Sequence, residues 1–192
     1  MIKIGVLGDI GSGKSFVAKK FGYPVFNADH EVHKIYKNDF RVFNKLKKIL
    51  PQHIHTFPIK KNEISKAILR DNRNLKRIVE IVHLEVRKKM KIFFNKNKRK
   101  KIVVLDIPLL LENKLVQKKD ILVFVHSKKK DILKRLKKRE GFNSKLIKIF
   151  KKIQLPLDYK KKKSHFIIKN DFTEKTVKKY VKNILRKIKW KK

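Results

Sequence analysis

The sequence predicts an α/β protein built on a parallel, doubly wound sheet. Two observations carry this: short apolar runs alternate with segments of helical spacing, and the first run flows straight into a glycine-rich loop. Right-handed crossovers are expected to join such strands. Residues 2–7 form the first buried strand, and a helix is expected through residues 16–21. Residues 24–27 make a short second strand, stopped at Asn27-Ala28-Asp29. Residues 30–98 show no strand pattern; 31–50 and 63–98 have helical spacing, as at Ile78, Ile81, Val82 and Val86, with Pro51 and Pro58 between them. The apolar runs at 101–107, 121–125 and 166–168 supply three more strands, and 128–139 and 173–188 two more helices. The helical stretch between the second and third strands is too long for a simple crossover, so it is expected to be an insertion that covers a substrate. No repeat or second domain is visible. One domain over residues 1–192 is expected, with a core of about 1–28 and 99–192, an insertion of about 29–98 and a lid of about 139–150.

Composition narrows the function. A chain of 192 residues that is 41% hydrophobic buries a real core and is not a disordered segment. No apolar run approaches the ~18 residues of a membrane helix, and the apolar start runs into glycines rather than a secretory cleavage site. With no cysteine, a disulfide framework, a thiolate zinc site and a cysteine nucleophile are excluded. A cytoplasmic enzyme is the expectation, monomeric or weakly self-associating. The formal charge is +39, from 55 Lys+Arg against 16 Asp+Glu. Such a charge suits nucleic acid, but Arg, the base-reading residue, is scarce beside Lys, and the basic runs at 128–130, 160–163 and 187–192 are scattered. Compositional bias is the preferred reading, with no specific nucleic-acid partner and no membrane.

Gly8-x-x-x-x-Gly13-Lys14-Ser15 matches G-x-x-x-x-G-K-[ST] at every fixed position, after a strand and before a helix. Glycines let the backbone approach phosphates, and the N–H groups of a helix start form an anion cradle. Lys14 is expected on the β- and γ-phosphates and the Ser15 hydroxyl on Mg²⁺. Asp106 ends the third strand, where a carboxylate that helps Ser15 hold the metal is expected at the ligand crevice, unless it is only a strand-end turn residue. The guanine-reading N-K-x-D of GTPase switches is absent, since Asn113-Lys114 is followed by Leu115-Val116. Arg135 and Arg139, four apart with the second opening the stretch REGFNSK, suit a kinase lid whose arginines neutralise a transferring phosphoryl group, or else a solvated basic helix.

Several stretches together resemble the dephospho-CoA kinase family, over nearly the whole chain and in the family's order. GDIGSGKS at residues 8–15 is similar to its G-G-I-G-S-G-K-S, with Asp9 for a glycine and Phe16 next, where Thr is usual. Residues 21–29, FGYPVFNAD, resemble G-x-x-V-I-D-A-D, with Asn27 for the first aspartate. Val82-His83 is similar to H-P with Leu84 for proline, and DIPLLLE at 106–112 resembles D-x-P-L-L-x-E. Arg135, Arg139, Gln154 and Ile168-Lys169-Asn170 follow suit, while the lid lacks a further arginine and Ser164-His165 replaces Ala-Asp.

The resemblance implies a three-layer P-loop kinase fold with a five-stranded parallel sheet. It implies transfer of the ATP γ-phosphoryl to the ribose 3′-hydroxyl of dephospho-CoA, with ATP and Mg²⁺ required. It assigns nucleotide contacts to Gly8, Gly11, Ser12, Gly13, Lys14, Ser15, Phe16, Arg135 and Asn170, and the metal to Ser15 and Asp106. Catalysis falls to Lys14, Asp29 and Arg139, and the acceptor to Asp29, His83, Pro108, Leu109 and Glu112. From the residues alone, Asp29 equally suits a cap for the helix expected at His30, His83 a structural place on an apolar helix face, and Glu112 a bond to nearby backbone. Asp9 has no role in this pattern and is expected to face solvent. A nucleoside-monophosphate-type kinase and, from another class, a nucleic-acid-stimulated ATPase are the rival readings.

Overall fold

The structure is a computed structural model that describes residues 1–139 and 141–189. Glu140, within the expected lid, and residues 190–192, within the last basic run, lie outside the described residues. The first half runs β1 (Ile2–Gly8), α1 (Lys14–Lys20), β2 (Val25–Asn27), α2 (Ala28–Asn38), α3 (Phe40–Ile49), α4 (Lys61–Arg70) and α5 (Arg73–Lys96). The second runs β3 (Ile102–Asp106), β4 (Ile121–His126), α6 (Lys129–Lys137), α7 (Ser144–Lys152), α8 (Leu157–Lys162), β5 (Phe166–Lys169) and α9 (Glu174–Lys189). Two compact units result, Met1–Asn27 with Asn97–Phe142 and Ile153–Lys192, and Ala28–Lys96 with Asn143–Lys152.

The first unit is built on a five-stranded sheet of order β2-β3-β1-β4-β5, every pair parallel. Parallel strands are covered on both faces, which is why β1, β3 and β4 are near-continuous apolar runs rather than alternating ones. Ile4, Val6, Val104, Val123, Val125 and Ile168 from the strands are buried with Val17 and Ala18 of α1 and Val177, Val181 and Ile184 of α9. Each of the Val and Ile side chains contributes about 1.5–3 kcal/mol on leaving water. Because all strands run the same way, the ends of β1, β3, β4 and β5 bring the loop after Gly8, Asp106, Ser127 and Asn170 to one edge of the sheet.

The second unit is helical, with a core from Val42, Phe43, Leu46, Ile64, Ile68, Ile78 and Val82. The sequence suggested two long helical stretches here; each is two helices. Asp39 stops the first stretch, because its carboxylate accepts the Arg41 and Val42 N–H groups and so caps α3. Asp71 divides the second by accepting the Arg73 N–H at the start of α5. Helix α7 packs on α4 within this unit. Helices α7 and α8 were not anticipated from sequence; both are short, at 9 and 6 residues. Among the described residues no helix is long and apolar enough to cross a membrane.

Two outcomes test this arrangement. Ile4 is fully buried in the central strand, so Ile4→Ala is expected to cost about 2–5 kcal/mol, read as a lower urea midpoint at unchanged slope. Glu174 on α9 is held down to about 2 by hydrogen bonds from Lys178 and from Lys20 of α1. A carboxylate depressed on folding stabilises above its unfolded value near 4.5, and that contribution fades as pH falls toward 2. The urea midpoints of wild type and Glu174→Gln should therefore differ at neutral pH and converge near pH 2.

Candidate active site

Residues 8–15 leave the carboxyl end of β1 and turn into α1. The turn begins with the Ser12 N–H bonded to the Asp9 carbonyl at 3.2 Å. Gly13 then caps α1 in the left-handed conformation, φ 90°, with no side chain closing the helix start and no acidic residue in its first turn. The helix N–H groups and their dipole are thus left for an anion. Helix α1 starts at Lys14, at the loop's end, so Lys14 and Ser15 both stand in its first turn. Gly13 is obligatory on a second ground: a Cβ there would lie 2.5 Å from Asn170 Nδ2.

The loop is pinned from behind. The Ser12 carbonyl accepts Ser127 Oγ from the end of β4 at 3.0 Å and Asn170 Nδ2 from the end of β5 at 2.8 Å. Asn170, 3% exposed, also accepts the Phe172 N–H through Oδ1 at 2.9 Å. The Ser12 hydroxyl is buried with no hydrogen-bond partner. Lys14 folds over the loop, its ammonium donating to the carbonyls of Asp9 at 2.8 Å and Gly8 at 3.2 Å. Asp9 is half-buried rather than turned out to solvent, because its Oδ1 accepts the Ile10 N–H at 2.7 Å and shapes the turn.

Asp106, 3% exposed, ends β3 with Asn27 as its register partner on β2. The Asn27 amide donates to Asp106 Oδ2. An aspartate at position 27 would set two carboxylates together; asparagine instead gives Asp106 a donor that orients it. Ser15 and Asp106 offer hard oxygen donors of the kind Mg²⁺ takes alongside water and phosphate, so the residues fit that ion. Among the described residues no cluster of three or more His, Asp or Glu side chains forms a separate metal site.

Arg135 on α6 lies with its guanidinium 4.4 Å above the Phe172 ring. Phe172 has φ 66°, and its ring edge lies 3.3 Å from where a Gly13 Cβ would stand, so Arg135 is stacked beside the cradle. Arg139 falls past the end of α6 and is exposed, not on the helix itself as its spacing from Arg135 suggested. Phe16 is half-buried in α1 and packs against the core. After Asp106 the chain forms a turn in which Pro108 and Leu109 are half-buried and Leu110 is fully buried. Glu112 Oε1 accepts the Leu155 N–H at 2.9 Å and Lys160 Nζ at 2.7 Å. Its engagement is therefore with backbone and a lysine. In the second unit, Asp29 is exposed in the first turn of α2, which starts at Ala28, so it is not the N-cap of that helix. His83 is half-buried on α5. Ser127, Phe172 and Lys160 carried no sequence signal; a serine after a strand and one lysine in a basic run do not stand out.

A phosphate cradle after the central strand of a parallel sheet, with a strand-end carboxylate on the neighbouring strand, defines a P-loop kinase. Comparison with known proteins narrows this. The family model CoaE, dephospho-CoA kinase, matches residues 2–176. A dephospho-CoA kinase of Wolbachia pipientis wMel is 36% identical over 187 residues, covering 95% of each chain. The chain belongs to the dephospho-CoA kinase family. The crystal structure of TT1252 from Thermus thermophilus superposes with a TM-score of 0.74 at 25% identity, covering 97% of both chains. The dephospho-CoA kinase from Campylobacter jejuni shares the fold, with a TM-score of 0.64 at 21% identity over 97% of this chain and 96% of that one.

Gly13→Ala sets a side chain against Asn170 in a left-handed position. Strain of about 1–3 kcal/mol is expected there, read as a rise of about five- to 150-fold in the dissociation constant for ATP in a fluorescence titration.

Proposed function

We propose that this chain transfers the γ-phosphoryl group of ATP to the ribose 3′-hydroxyl of dephospho-CoA, giving CoA and ADP. The observation that carries the reading is an intact, rigidly backed phosphate loop inside a family match that spans residues 2–176. In the reaction the acceptor oxygen bonds to the γ-phosphorus, the bond from that phosphorus to the ADP oxygen breaks, and the hydroxyl proton leaves with a base. Phosphoryl transfer passes through a loose transition state, so positioning and charge supply most of the catalysis.

Each residue then has a task. The cradle of Gly8, Gly11, Ser12 and Gly13 presents backbone N–H groups to the β- and γ-phosphates. Lys14 exchanges the Gly8 and Asp9 carbonyls for phosphate oxygens and follows the developing charge. Arg139 adds charge to the transferred group, and Arg135, stacked on Phe172, holds a cation beside the cradle. Asn170 fixes the loop's back. Asp29, two residues after the strand end that orients Asp106, accepts the proton of the acceptor hydroxyl. Pro108, Leu109, Glu112 and His83 belong to the acceptor side. Ser15 and Asp106 are the residues that would hold Mg²⁺, whose chemistry when bound is neutralisation of phosphate charge. A cytoplasmic, monomeric or weakly self-associating enzyme with two small polyanionic substrates is the form this reading takes.

Coupled measurement of ADP release tests it. ADP should appear only when dephospho-CoA is added; turnover with a nucleoside monophosphate and none with dephospho-CoA would replace the reading. Lys14→Met and Asp29→Asn should each lower kcat by about 10²-fold or more, and near-wild-type turnover in Asp29→Asn would remove the carboxylate's role.

A further inference from the structure

Most lysines of this chain stand in solvent. Lys160 on α8 does not: it is 1% exposed. Its ammonium pairs with Glu112 Oε1 at 2.7 Å and donates to Gln154 Oε1 at 3.0 Å. The same Glu112 oxygen takes the Leu155 N–H, while Glu112 Oε2 is buried with no hydrogen-bond partner. A buried ion pair with one oxygen unsatisfied is a poor device for stability, because desolvation offsets most of the attraction and apolar side chains of similar volume do as well. What such a pair does supply is a fixed geometry.

The geometry it fixes belongs to the turn after Asp106. Leu110 anchors the near side of that turn: its Cδ2 lies 2.5 Å from where a Gly5 Cβ would stand, so it rests on the bare backbone of β1. Glu112 anchors the far side through Lys160. Pro108 and Leu109 precede these two fixed points and are half-buried.

We propose that Lys160 is a positioning residue for the acceptor: acting through Glu112, it holds the turn of Pro108 and Leu109 in the conformation that receives dephospho-CoA. This rests on the function proposed above. Lys160→Met leaves the Glu112 carboxylate buried and unpaired, so the melting temperature falls. The KM for dephospho-CoA should rise roughly tenfold or more while the KM for ATP changes less than about twofold. The double variant Lys160→Met with Glu112→Gln removes the buried charge and keeps an acceptor for the Leu155 N–H. It should recover most of the melting temperature yet retain the raised acceptor KM. Recovery of stability and acceptor KM together would show a purely structural pair and overturn the proposal, as would a single variant that raises both KM values alike. Wild-type protein without dephospho-CoA turnover would overturn this inference along with the proposed function, and is told apart because it precedes any substitution.

Discussion

The carbonyl of Ser12 takes two hydrogen bonds, one from Ser127 after β4 and one from Asn170 after β5, and the phosphate loop depends on that double anchor. A loop whose N–H groups must converge on an anion has no side-chain core of its own to hold it. Here two strand ends of the sheet do the holding, and the sheet is in turn set by apolar side chains on both faces. The cradle is therefore held by the sheet itself, and a preorganised cradle needs little reorganisation when charge develops on a phosphate. Asn170 connects this anchor to the strained Phe172 and, through it, to Arg135.

Much of this was legible in the sequence. The five strands and the phosphate loop follow from apolar runs and a motif whose spacing is dictated by phosphate geometry, and local chemistry of that kind survives in a single sequence. Helix boundaries in the second unit were less visible. Asp39 and Asp71 divide what hydrophobic spacing alone joins, because a capping carboxylate competes with helix continuation only through the N–H groups it meets. Ser127 and Lys160 were invisible for a different reason. Their partners are 115 and 48 residues away in the chain, at Ser12 and Glu112, and no local pattern marks a contact made only by the fold. The uniform lysine background hid the one at 160 further.

Asn27 shows how a departure from a family pattern gains a physical account. The amide keeps a donor on Asp106 where a carboxylate would oppose it, and the strand-end carboxylate is held by the neighbouring strand. Asp9 is a similar case. A carboxylate in a phosphate loop is electrostatically awkward, yet this one is spent locally on the Ile10 N–H and helps to set the turn.

Lys14 gives the loop a threshold. Its ammonium is already solvated by two carbonyls of the loop it serves, so a ligand gains only the difference between its own oxygens and those carbonyls. A neutral or weakly charged molecule offers nothing better and leaves the lysine where it is. In the reaction proposed above, a polyphosphate tail would offer the ammonium more than those carbonyls do. On that proposal the loop would discriminate by charge before any part of the nucleotide base is read.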